Sequence, residues 1–127
     1  MSKQKSQKLP LMSEHEEQKK FLEWFGFAYA NKGVGGQAVR ILSFPNGGLR
    51  NLVVAKKMKD EGLKRGAPDL FIPEWQTFIE MKRVAGGRLS EAQKDWFLYL
   101  ESAGYTCILA HGADSAIDQV QKLHPLK

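Results

Sequence analysis

Apolar residues follow two rhythms along this chain. From Ser13 to about Asn31, Phe21, Trp24, Phe25 and Ala28 recur at the three- and four-residue spacing of one helix face. Ser13 with Glu16 three positions on forms a capping box, so the helix is predicted to start at Glu14 and to end near Gly33. "AVRILSF" (38–44) alternates as a strand does, and "PNGG" (45–48) reads as a turn. The stretch 49–66 is predicted helical, closing in a basic, glycine-punctuated loop. Two short apolar strands follow at 69–73 and 76–83, with "PEW" between them. Gly86-Gly87 opens a loop, and Ser90 with Gln93 is a second capping box, starting a helix to about Ala103 that Gly104 stops. "YTCILA" (105–110) is a further strand, and Ala116, Ile117, Val120 and Leu123 mark a last amphipathic helix. Helices and strands interleave, which predicts an α/β fold with a mixed β-sheet flanked by helices on both faces.

Composition narrows the picture. A chain of 127 residues suits one domain with one core, here residues 13–127, preceded by a flexible basic N-terminal tail over 1–12 in which Lys3, Lys5 and Lys8 meet no acid. No apolar run reaches the roughly 18 residues needed to span a bilayer, which argues against a membrane partner. The first residues lack the apolar segment of a signal peptide, and one cysteine, Cys107, excludes an internal disulfide; both fit a reducing cytoplasm. The formal net charge of +5 favours a polyanionic partner, nucleic acid first.

Against this background, "GAPDLFIPEWQTFIEMK" (66–82) is unusual, because Asp69, Glu80 and Lys82 sit inside greasy runs. Alternation along a strand puts Glu80 and Lys82 on one face with Phe78, and Ile79 and Met81 on the other. Asp69, following Pro68, opens the preceding strand, so strand pairing can bring its carboxylate to Glu80. Two carboxylates held together repel unless a cation lies between them. Oxygen ligands of this hardness suit Mg²⁺ or Mn²⁺. The plain alternative is a solvated sheet face. Glu14 falls within the inward stripe of the first helix, Glu16 points out and Glu17 lies on the flank; a first-turn acid also suits the helix dipole. Gln93 can complete its capping box and also turn toward the core, since it shares a face with Trp96, Phe97 and Leu100.

Together these residues resemble a known family. "RGAPDLFI…TFIEMKRVAGGRLSEAQKDWFLYLESAGY", with "SEHEEQKKFLEWF" and "FPNGGLR" upstream, is similar to the VRR-NUC nucleases, the virus-type replication-repair branch of the PD-(D/E)XK superfamily. The matching features are G-x-P-D-L, the strand E-x-K, a glycine-containing loop, L-S-x-x-Q-x-x-W and a later G-Y. The resemblance runs from about Ser13 to Val120. It implies a restriction-endonuclease-like core and metal-dependent hydrolysis of DNA phosphodiesters with a 5′-phosphate product. It implies that Asp69 and Glu80 are ligands of Mg²⁺ or Mn²⁺, Lys82 the catalytic lysine and Gln93 an active-site helper. Glu14 becomes the helix-borne acid, with Glu17 the substitute, and the Met81 carbonyl a further ligand. A chain this short resembles the stand-alone phage or bacterial type, which looks like a junction or flap nuclease of DNA repair. Cutting a four-way (Holliday) junction takes two active sites, hence a homodimer, with Trp24, Phe27 and Tyr29 or else Trp75 as candidate dimer surfaces.

Arg50, Arg83, Arg88, Lys64 and Arg65 are candidate contacts to the DNA backbone, with Lys56, Lys57 and Lys59 behind them; such contacts give salt-sensitive binding with little sequence reading. A mixed charge run is also what a solvated helix face looks like. Cys107 reads as core packing, and His15, His111 and His124 lack zinc-site spacing. Two rivals share the fold: a non-catalytic DNA-binding module, and a sequence-specific restriction-type nuclease, for which the chain has little length to spare.

Overall fold

The computed structural model describes residues 11–30, 38–44, 52–62 and 64–126. The basic tail up to residue 10, the 45–48 turn and Arg50 lie outside the described residues. Helix α1 spans Glu14–Phe25, with the Ser13–Glu16 capping box formed in both directions. The helix was predicted to continue in α form to Asn31; instead Gly26–Ala30 is a π-helical turn. The buried residues explain the change. Glu17, Phe21, Phe25 and Tyr29 follow a strict four-residue spacing, which drifts by about 40° per step around a helix of 3.6 residues per turn. A wider turn at the end brings Tyr29 back to the core side. There its ring meets Phe25, Trp24 and Trp75, and its hydroxyl donates to the His124 carbonyl.

Strand β1 is only Leu42–Ser43, shorter than the predicted 38–44. It pairs antiparallel with β2 (Leu70–Ile72), Leu42 opposite Phe71. Continuing that register would set Arg40 opposite Pro73, which has no N–H to donate. Pro73 instead opens a single 3₁₀ turn, Pro73–Trp75, so the predicted 69–73 strand ends one residue early. Helix α2 covers Leu52–Asp60, inside the predicted 49–66. Strand β3 (Thr77–Lys82) pairs antiparallel with β2 and parallel with β4 (Thr106–His111). The result is a mixed four-stranded sheet in the order β1-β2-β3-β4. Helix α3 (Glu91–Ser102) forms the crossover between the two parallel strands, and α4 (Ala113–Leu123) follows β4.

One face of the sheet is the core. Leu70, Ile72, Ile79, Met81, Ile108 and Ala110 pack there against Phe21 and Phe25 of α1 and Ala113, Ala116 and Val120 of α4. The other face of β3 carries Phe78, Glu80 and Lys82, as alternation requires, and α3 lies toward it, with Gln93 reaching Glu80. Among the described residues, no helix is long and apolar enough to cross a membrane.

Candidate active site

The centre of the β2–β3 pair holds the charges that the apolar runs had to accommodate. Asp69 sits just before β2, 6% exposed, and its Oδ2 accepts the Met81 backbone N–H at 2.9 Å. Glu80 is 1% exposed in the middle of β3. Glu14, in the first turn of α1 and half-buried, completes a group whose carboxylate oxygens lie within 4.8 Å of one another. The Glu80 Oε2 is held from two sides, by the Gln93 side-chain amide at 3.1 Å and the Lys82 ammonium at 3.6 Å. Its Oε1 is buried and meets no donor. The other carboxylates of the cluster are acceptors as well, so a proton or a cation is what this oxygen lacks.

The electrostatics say the same. Burial, then the Asp69 charge, then a hydrogen bond with Asp69 that only the protonated form can donate, push the Glu80 carboxyl up to about 9 against the pull of Lys82. Burial raises Asp69, opposed first by the Met81 N–H. Burial and then Asp69 raise Glu14, which Lys82 and Arg83 pull down. Three crowded carboxyls that resist ionisation together form a site whose charge a divalent cation would balance.

Local geometry explains how each group is aimed. Gly66 has φ of 87°, and a Cβ there would lie 2.8 Å from the Ala92 backbone carbon, so the G-x-P-D turn packs directly on the start of α3. The Ser90–Gln93 capping box is complete: Gln93 Oε1 accepts the Ser90 N–H at 2.8 Å, which leaves its NH₂ free to reach Glu80. Gln93 therefore fills both of its expected positions at once. The Gly112 N–H donates to the Lys82 carbonyl at 2.9 Å, so the Lys82 peptide groups face β4. Successive strand residues turn their backbone groups to opposite sides. The Met81 carbonyl thus shares the side of its N–H, toward Asp69.

Glu17 corrects the flank position expected for it. It is 5% exposed, and its Oε1 accepts the Ala113 N–H at 2.9 Å, at the start of α4, where the cap residue Gly112 offers no side chain. Glu14 is the α1 acid that reaches the cluster, and Glu17 caps a neighbouring helix. Sequence reasoning also passed over His111. It lies opposite Lys82 in the β3–β4 pairing, and its Nε2–H donates to the Gly87 carbonyl at 2.7 Å. A Cβ on Gly87 would sit 2.9 Å from the Lys82 Cβ, so the 83–89 loop lies against the lysine stem. Spacing of histidines carried no sign of this, because the contact joins residues 24 apart.

Lys64, Arg65, Arg83 and Arg88 are all exposed, and Arg83 lies within electrostatic reach of Glu14. Lys56, Lys57 and Lys59 are exposed along α2. Burial and then the Glu101 charge push the Cys107 thiol up to about 11, which fits its reading as a packing residue. Of the aromatic residues considered for a dimer surface, Tyr29, Trp24 and Trp75 are engaged in the internal cluster, whereas Phe27 is 72% exposed.

A mixed sheet flanked by helices, with this acidic cluster at its centre, defines the nuclease-type fold with a restriction-endonuclease-like core. The chain belongs to the VRR-NUC domain family, whose model matches residues 3–114. A solved structure described as a "VRR_NUC domain protein" is similar over 87% of both chains, with 26% sequence identity and a TM-score of 0.69. No curated protein matches the chain.

Proposed function

We propose that this chain is a divalent-metal-dependent DNA endonuclease that cuts branched DNA, junctions or flaps, as a homodimer. The observation that carries the reading is the buried Glu80 oxygen without a donor, set among Asp69 and Glu14 and beside Lys82. The donor set is all oxygen, which suits Mg²⁺ or Mn²⁺. Glu14, Asp69, Glu80 and the Met81 carbonyl are the residues that would hold it. When bound, such an ion supplies Lewis acidity toward a phosphate oxygen and lowers the pKa of water.

The remaining work falls to the chain. Gln93 fixes the Glu80 carboxylate by one hydrogen bond while its other end anchors α3. Lys82, its side chain 12% exposed, presents ammonium hydrogens to the attacking water and offsets negative charge gathering on the phosphate. Water adds to phosphorus in line with the departing 3′ oxygen, which leaves a 5′-phosphate. Arg83, Arg88, Lys64 and Arg65 hold the flanking backbone by charge. A four-way junction presents two strands to cut, and a two-fold pair of chains supplies two sites. Exposed Phe27 is a candidate for the contact between them.

The test is cleavage of labelled duplex, flap and four-way-junction DNA by the wild type and by Lys82→Ala, with Mg²⁺, Mn²⁺ or EDTA. Metal-dependent cutting of branched DNA that the variant loses is the expected result. Binding without cutting under every metal would replace this reading with the non-catalytic module.

A further inference from the structure

Beside the acidic cluster lies a cavity of ≈ 220 Å³ whose walls include Phe44, Pro68, Phe78, Trp96 and Leu100, with Lys64 among them. We infer that this cavity takes one unstacked nucleobase of the DNA strand being cut; the inference rests on the proposed nuclease function and names the feature of the substrate that the site reads.

Three elements tie the cavity to the carboxylates. Phe78 and Glu80 share a face of β3 two residues apart, about 7 Å along the strand. Pro68 directly precedes Asp69. Trp96 follows Gln93 by three residues on α3, so both lie on one side of that helix. A nucleotide whose phosphate lies at Glu80 has its base within reach of Phe78 and Trp96.

The walls are preformed. The Trp96 Nε1–H donates to the Arg65 carbonyl at 3.1 Å, which fixes the indole. Phe78 is stacked on Phe71 with ring centroids 4.3 Å apart and meets Tyr105 edge-on. Phe44 is 37% exposed, and its backbone N–H donates to the Asp69 carbonyl, linking it to the turn that carries the acid. Aromatic walls accept any base, because every base has a flat π-face.

Size and charge select the occupant. The volume is below the roughly 300–1,000 Å³ of sites for drug-sized ligands, so it suits one planar base and not a base pair or a peptide helix. Lys64 lines the cavity and exposed Arg65 adjoins it, and neither takes part in an ion pair among the described residues. A base attached to a phosphate satisfies both the apolar walls and the cation. Extruding a base costs least where it is already unpaired. The cavity thereby gives branched or flapped DNA an advantage over plain duplex at the same catalytic residues.

The experiment places a single abasic nucleotide, in turn, on either side of the cut in a flap or junction substrate. KM is measured with Mg²⁺ and Kd by fluorescence anisotropy in EDTA, for the wild type and for Phe44→Ala. At one of the two positions the abasic substrate should weaken KM and Kd roughly tenfold or more for the wild type. Phe44→Ala should weaken the intact substrate similarly and gain little further loss from the abasic site, the non-additivity of groups in contact. Equal affinity for abasic and intact DNA in the wild type, or losses that simply add, would overturn the inference while leaving the nuclease reading in place. Phe44→Ala halving the apparent mass in solution would also overturn it, by making the cavity a contact between copies. A wild type that neither binds nor cuts DNA removes both readings.

Discussion

Glu17 and Glu80 are both buried glutamates, one at the junction of α1 with α4 and the other in the middle of β3, and the chain treats them in opposite ways. Glu17 accepts the first N–H of α4, where the cap residue is a glycine with no side chain to offer. It stands in for a missing cap, and a surface pair between Lys20 and Asp114 at 3.2 Å joins the same two helices. Glu80 has Lys82 and Gln93 on one oxygen, no donor on the other, and two further carboxyls within 4.8 Å. A buried acid whose surroundings satisfy it supports the fold. One that its surroundings leave short marks a place where something else is expected to bind.

The largest break in that comparison is Glu80→Gln. Cleavage should fall by roughly 10³-fold, as when a key charge-stabilising group is lost. The melting temperature in EDTA should hold or rise above pH 4.5, because a buried amide needs no proton taken up on folding, as the Glu80 carboxyl does. A cleavage assay beside a thermal melt reads both, and a variant that still cuts at the wild-type rate would remove Glu80 from the site. Asp69→Ala should likewise lose cutting while DNA binding measured by anisotropy persists. Lys82→Ala should reduce kcat by roughly 10²-fold with metal affinity retained, which calorimetric titration with Mn²⁺ checks.

Glu17→Ala should do the reverse of Glu80→Gln. It leaves the α4 N-terminus without its acceptor and should cost about 1–3 kcal/mol in urea unfolding, with the cleavage rate of the folded chain equal to that of the wild type. The pH dependence sharpens the contrast. The Glu80 carboxyl, raised from 4.5 to about 9, keeps a proton in the folded metal-free chain that it sheds in the unfolded chain. Its contribution is therefore fully present below pH 4.5 and is lost as pH rises through about 9, so stability in EDTA should decline across that window. Saturating Mg²⁺ should flatten the decline, and urea titrations at several pH values with and without metal would show it. The smallest effect is expected from Gln93→Ala, about 0.5–2 kcal/mol from the lost cap. A drop in kcat beyond that loss would separate its hold on Glu80 from its part in the helix start.

Much of this was legible along the chain. Both capping boxes form as the Ser-x-x-Glu and Ser-x-x-Gln spacings say, because a cap is a contact between residues three apart. The alternation of 76–83 correctly assigned Phe78, Glu80 and Lys82 to one face. What periodicity misjudged depended on distant partners. β1 shrank to two residues because its neighbour turns away at Pro73, and α1 widened into a π turn to keep Tyr29 in the core.

The sequence by itself determined the interleaved order of elements, the helix starts and the placing of an acid and a lysine in one apolar strand with a second acid at the edge of its neighbour. These rest on local rules of spacing and capping, which act within a turn or two of the chain. Periodicity already turned Glu14 inward, whereas tertiary structure alone decided that Glu17, expected on the flank, is buried as the cap of α4. Glu14 and Glu17 lie on the same helix face, and only the arrival of α4 at one of them and of β2–β3 at the other separates their roles. The same holds for His111 against the Lys82 loop and for the aromatic cavity beside Asp69. Each joins groups far apart in the chain, whose meeting depends on packing rather than on any local pattern.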